Sequence, residues 1–185
     1  MRVRAAVSPL VLAWALAACA SSAAGTSAAP YAGQQSRGIK ALSSEDVEGY
    51  LAGKGMGFAK AAELNGYPGP SHVLELASKL GLSEEQRSKT ETLFRSMQAR
   101  AAAAGRELVD AEGRLDQLFA SRAVTPEAMS GTLSEIGALQ AKLRSAHLEA
   151  HLAQVKILSA TQVAEYVRLR GYESPPAPHE HRGHH

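Results

Sequence analysis

The chain has one cysteine, Cys19, among 185 residues, so no disulfide can close within it and no cluster of thiolates can hold a metal. Aromatic residues make up only 5% of the sequence, and they form no stacking platform beside a basic stripe. Such a chain gives no support for nucleic-acid binding, and none is expected. The net charge of +2 is concentrated at the start: beyond residue 18, which leaves out Arg2 and Arg4, 18 basic side chains face 18 acidic ones. No nucleophile elbow, phosphate-cradling loop or cofactor fingerprint occurs, which argues against an enzyme and against an organic cofactor. "GKGMG" at 53–57 has glycines but neither a preceding strand nor a following Lys-Ser/Thr, and it reads as a joint.

What the sequence does have begins with "MRVR", an apolar run "AAVSPLVLAWALAA" too short for a stable membrane anchor, and "LAAC". This is the pattern of a secretory signal over residues 1–18. Leu16, Ala17 and Ala18 before Cys19 resemble the bacterial lipobox, which implies lipidation of Cys19 and attachment to a membrane outside the cytoplasm. Residue 20 is Ala rather than Asp, so by the same resemblance the outer membrane is favoured over the inner. Residues 19–42, rich in Ala, Ser, Gly and Gln, read as a flexible tether. Residues 43–172 form the one folded domain, and 173–185 form a proline-broken, histidine-rich tail.

The domain reads as all-α. "NGYPGP" is a turn-rich joint, and "SHVLELASKLG" is a short helix ended by Gly81. In "LSEEQ", Ser83 can cap the next helix while Gln86 reaches back to the cap's amide. Leu93, Met97, Ala101, Ala104, Leu108, Ala111, Leu115 and Leu118 then recur at steps of three and four, marking one face of a helix that runs to about Phe119 and extends roughly 50 Å. Thr125 caps a second long helix with Pro126 in its first turn. Its inner arc is Met129, Leu133, Ile136, Leu139, Leu143, Ala146, Ala150 and Ile157. A short connection between two long helices predicts an antiparallel hairpin.

"LSATQ" at 158–162 repeats the spacing of "LSEEQ", so Ser159 and Gln162 form a second capping box, before a short helix closed by Gly171. Paired motifs of this kind bracketing a long hairpin resemble the L-T-x-x-Q motifs of the Spy/CpxP superfamily, with Ser in place of Thr. "NGYPGPSHVLEL", "AHLEAHL" and "LRGY" look like its periplasmic heavy-metal resistance and sensor branch. The resemblance covers about Leu51 to Tyr172. It implies a small, cradle-like homodimer that either senses or buffers metal ions or acts as an ATP-independent chaperone.

In "AHLEAHL", His147 and His151 stand four apart and share a helix face, as a zinc, copper, nickel or cobalt site requires. They fall in a seam between the inner arc and a second apolar arc of Leu148, Leu152 and Val155. The seam suits a metal pair, and equally two histidines that hydrogen-bond across an interface. Two ligands hold an ion weakly, and His72 with Glu75 on the short early helix is the further supply. That choice follows the relatives' layout of His and Glu from an early and a late helix. Glu149 projects about 160° from the midpoint of the pair and reads as a surface charge. "HLEAH" is not the zinc-protease HExxH, because its glutamate is misplaced for general-base work. In the tail, His179, His181, His184 and His185 form a weak metal-binding tract or an incidental terminus.

Two functions follow from this reading. The first is an exported, lipid-anchored metal sensor or buffer. The second is a chaperone dimer holding unfolded envelope proteins, with Met56, Phe58 and Phe94 as adaptable contacts and Met97 read as helix core before client contact. A membrane signalling protein is a further expected partner.

Overall fold

The computed structural model describes residues 29–173; the signal segment, Cys19 and the four tail histidines lie outside the described residues. The chain divides into two units, Met1–Gly33 and Gln34–His185. In the first, residues 29–33 include a turn in which the Ala32 amide donates to the Ala29 carbonyl at 2.8 Å. All the helices described below belong to the second.

Helix starts follow the capping residues. Ser43 caps α1 (Ser44–Leu51) in a reciprocal box with Asp46, whose carboxylate that bond holds below the usual range. The four-residue α2 (Lys60–Glu63) has no side-chain cap, and α3 (Pro70–Glu75) begins on proline. Ser83 and Gln86 form the expected box at the start of α4 (Glu84–Ala120). Thr125 caps α5 (Pro126–Val155), and Ser159 with Gln162 caps α6 (Ala160–Arg170), which ends on left-handed Gly171. All six helices, and no strand, make up the regular structure of the described residues apart from a 3-10 turn at Gln34–Ser36.

Helices α4 and α5 form the antiparallel hairpin that the periodicity predicts. Three ion pairs record its register: Arg114 with Glu135 at 2.6 Å, Glu107 with Lys142 at 2.9 Å, and Arg100 with Glu149 at 2.7 Å. Each step of seven down one helix is matched by seven up the other. These pairs are about half exposed and contribute little stability individually. The main contribution is the apolar seam beneath them, where Ala101, Ala104, Leu108 and Ala111 of α4 meet Ile136, Leu139, Leu143 and Ala146 of α5. Leu133 departs from its expected inner position and is 47% exposed. Thr132 takes the partly buried place at that turn, since a helix repeats at about 3.6 rather than 4 residues.

The short elements gather on the long pair. α1 and α3 pack on α4, while α2 and α3 also reach α5. A second core of Val73, Leu80, Leu158 and Tyr166 joins α3 to α6 at the end of the hairpin away from the 121–125 connection. The sequence reading runs the tether to residue 42, but its last part is folded. The Lys40 side chain and backbone amide both donate to Asp116 of α4, at 3.0 and 3.1 Å.

Candidate metal centre

His147 and His151 lie on the α5 face that α4 leaves uncovered near its start, and the loop regions around α2 and α3 close over them. The pair is 3% and 7% exposed, so the expected sheltered seam is formed. The cover, however, comes from the early helices. Phe58 stacks on the His147 ring at 6.1 Å between centroids and 8° between planes. Gly69 lies against His151: a Cβ there would stand 2.8 Å from its Cε1 and 3.0 Å from its Nε2. The Gly69 backbone, at φ −85° and ψ 141°, is one that any residue adopts. Its lack of a side chain therefore serves close approach to the ring.

The hydrogen bonds fix which ring nitrogen of His151 is free. Nδ1 is 2.7 Å from the Tyr67 carbonyl oxygen, which can only accept, so Nδ1 carries the hydrogen and a neutral ring leaves its lone pair on Nε2. His72 is arranged similarly, with Nδ1 3.2 Å from Glu63 Oε1. A carboxylate or carbonyl holding one imidazole nitrogen so that the other can ligate is the common second-layer arrangement of histidine metal sites.

Glu63, at the end of α2, joins these parts. Its Oε1 accepts from the Tyr166 hydroxyl at 2.5 Å and from His72, with Arg170 Nε at 3.4 Å. Its Oε2 lies 3.8 Å from His151 Nδ1. Burial first, then the Glu63 hydrogen bond and charge, raises the Tyr166 phenol far above its usual pKa, so this hydroxyl stays a donor. Desolvation, followed by the nearby His151, lowers the His147 pKa, against a hydrogen bond at the Lys54 backbone that raises it. The neutral, ligand-competent ring is favoured.

Glu63, His72, His147 and His151 all line one cleft of about 520 Å³. Of the four residues that the sequence reading nominates, the structure brings His72, His147 and His151 to it. Glu75 is exposed and accepts from Ser71 at 3.3 Å, because burial of Val73 and Ala77 sets the rotation of that turn. The carboxylate at the cleft is Glu63. The turn "GYPGP", read only as a joint, supplies both the Tyr67 carbonyl and the bare Gly69. Glu149 pairs with Arg100 at the surface, as expected of a solvated charge.

The donor chemistry suits a metal ion without forming a closed cage. Among the described residues, no group of three or more His, Cys, Asp or Glu side chains is gathered closely enough to hold an ion. Two buried donor atoms of the cleft residues, His147 Nε2 and Glu63 Oε2, nevertheless have no hydrogen-bond partner. An unpaired buried polar atom costs on the order of 1–3 kcal/mol, and a cation bound at either atom would remove that cost there.

A family model described as "Heavy-metal resistance" matches residues 56–165, more than half of the chain. The chain belongs to the heavy-metal resistance family. This is the Spy/CpxP-like group that the paired capping motifs resemble, and its members are typically periplasmic. The match takes in Glu63, Gly69, His72 and both α5 histidines, and stops just before Tyr166. No curated protein and no solved structure matches the chain. No helix of the described residues is long and apolar enough to cross a membrane.

Proposed function

We propose that this heavy-metal resistance protein is an exported, lipid-anchored sensor or buffer that binds a divalent transition metal such as zinc, copper, nickel or cobalt. The observation that carries this reading is the pair of unpartnered buried donors, His147 Nε2 and Glu63 Oε2, in one cleft with His151 and His72. His147, His151 and Glu63 would hold the ion, with His72 beside them. Tyr166 and Arg170 position the carboxylate, and the Tyr67 carbonyl orients His151. A bound ion would supply positive charge between Glu63 of α2 and the two histidines of α5, with His72 of α3 beside them. Such a ligand acts as a signal only through its different affinity for two arrangements of these elements.

The reading assigns no catalytic step. It places the domain on a membrane through lipid on Cys19, on the outer membrane by the residue after it, and in a homodimer by family resemblance. A membrane protein would receive the signal, and the tail histidines would concentrate ions weakly. The test uses the full chain with His179, His181, His184 and His185 changed to Ala, titrated calorimetrically with each metal. Sub-millimolar binding that is lost in His147→Ala and His151→Ala is expected. Binding indifferent to both substitutions rejects the reading.

A second reading, an ATP-independent chaperone, draws on Leu51, Met56, Leu64 and Tyr67, which are all 40% or more exposed along one short stretch. A stoichiometric excess should then suppress light scattering by an unfolding client. Undiminished aggregation removes this reading.

A further inference from the structure

The chain enters the helical unit near the tip of the hairpin, at the 121–125 connection. Lys40 pairs with Asp116, one turn before α4 ends; further on, the Tyr50 carbonyl abuts Gly105 and the Ala52 carbonyl accepts from Gln98 at 3.3 Å. Residues 40–52 therefore run along α4 from the tip towards the histidines. Met97, which lines the histidine cleft, lies roughly 30 Å from Asp116 along the helix axis.

The same tip carries apolar surface that the fold leaves uncovered. Phe119 is 54% exposed and shares an open groove of about 460 Å³ with Ala41, Leu115 and Ala120. Leu133, 47% exposed, lies two turns into α5. Little charge opposes covering the groove. Lys40 and Asp116 neutralise each other there, and burial shifts the Glu112 carboxyl, which also lines it, towards its neutral form.

Where the chain goes next indicates what covers this surface. Gln34, the first residue of the helical unit, stands 15 positions after Cys19, the residue whose lipidation is proposed above. That length reaches about 50 Å at full extension. Turning the cleft end to the bilayer would take up over half of this reach, at an entropic cost, whereas a tip-first pose takes up almost none of it.

We propose that the hairpin tip is a membrane-contact surface, with Phe119 and Leu133 seated at the boundary of headgroups and acyl chains of a phospholipid bilayer. The histidine cleft then stands roughly 30 Å out, open to ions in the surrounding solution. This rests on the lipid anchor of the reading above and adds the orientation of the anchored domain.

Trp14 is the only tryptophan of the chain and lies within the signal segment, so the processed protein has none. Phe119→Trp at the tip and Leu152→Trp, at a position 53% exposed near the opposite end, each introduce a single fluorophore. The lipidated protein is reconstituted into phosphatidylcholine vesicles with and without brominated acyl chains, which quench only within the bilayer. Bromine should remove about half or more of the Phe119→Trp emission and leave that of Leu152→Trp in place. Equal quenching of the two, or quenching of neither, in vesicle-bound protein overturns the inference and leaves the anchor standing. Protein that does not float with the vesicles overturns both. Phe119→Trp emission that ignores bromine but shifts with protein concentration assigns the groove to a second copy, which also overturns the inference. Leu133→Trp, quenched in the same way, is the tip probe should Phe119→Trp disturb the fold.

Discussion

Gln86 and Gln162 face each other across the base of the hairpin and exchange amide hydrogen bonds, at 2.8 Å in one direction and 3.0 Å in the other. Each also accepts from the backbone amide of its own capping serine, and each donates to a distant carbonyl, Ile157 for Gln86 and Leu80 for Gln162. The two pentapeptides are thus one structure, in which the starts of α4 and α6 cap themselves and fasten each other. Gln162→Ala should lower stability by about 2 kcal/mol, a lost cap plus a lost network bond, in urea unfolding. A double-mutant cycle with Gln86→Ala should show coupling of about 1 kcal/mol; additivity would mean that the caps act separately.

Gly105→Ala sets helix propensity against packing. Alanine in a helix interior gains about 1 kcal/mol over glycine. A Cβ at 105, however, would meet the Tyr50 backbone, with the carbonyl carbon at 2.7 Å. Backbone cannot swing aside as a side-chain tip does, so α1 must shift away from α4. Net destabilisation of about 1–2 kcal/mol is expected in thermal melts, with faster proteolysis in 44–58.

Gly69→Ala should behave differently, because its new Cβ would press on the far end of the His151 ring and not on backbone. The fold should persist with a small loss of stability. The Nδ1–H resonance of His151, whose hydrogen the Tyr67 carbonyl accepts, should move or vanish from imidazole 15N spectra. An unchanged resonance would mean that the glycine does not shape the site.

The hairpin, its caps and its seam were legible because long helices repeat their signal many times. Ten turns of α4 carry one apolar stripe, and a serine with a glutamine three residues on is a local rule. The paired histidines were legible for the same reason. Glu63 was not: α2 has four residues, no side-chain cap and no period, so nothing local says that its last side chain turns inward. Its burial is set by Tyr166, 103 residues away. Glu75 stands three residues from His72, yet a helix of six residues is oriented by what it buries, Val73, and not by its polar pair.

His147 gives the protein a pH dependence of known sign. Burial, then the charge of His151, holds its pKa below the ordinary 6.5, so the unfolded chain binds the proton more readily. Stability is full above that ordinary value and falls as pH drops through it, until the folded-state pKa is passed. Urea midpoints from pH 7.5 down to 5 should therefore fall more steeply in the wild type than in His147→Gln. Equal slopes would contradict the burial argument.

In the proposed site, Glu63 is the carboxylate that serves the histidines. Zinc titrations of Glu63→Gln and Glu75→Gln, both in the background lacking the tail histidines, compare the two directly. Affinity should fall by about tenfold or more in Glu63→Gln and stay unchanged in Glu75→Gln. Unchanged binding in Glu63→Gln, or loss confined to Glu75→Gln, would contradict it.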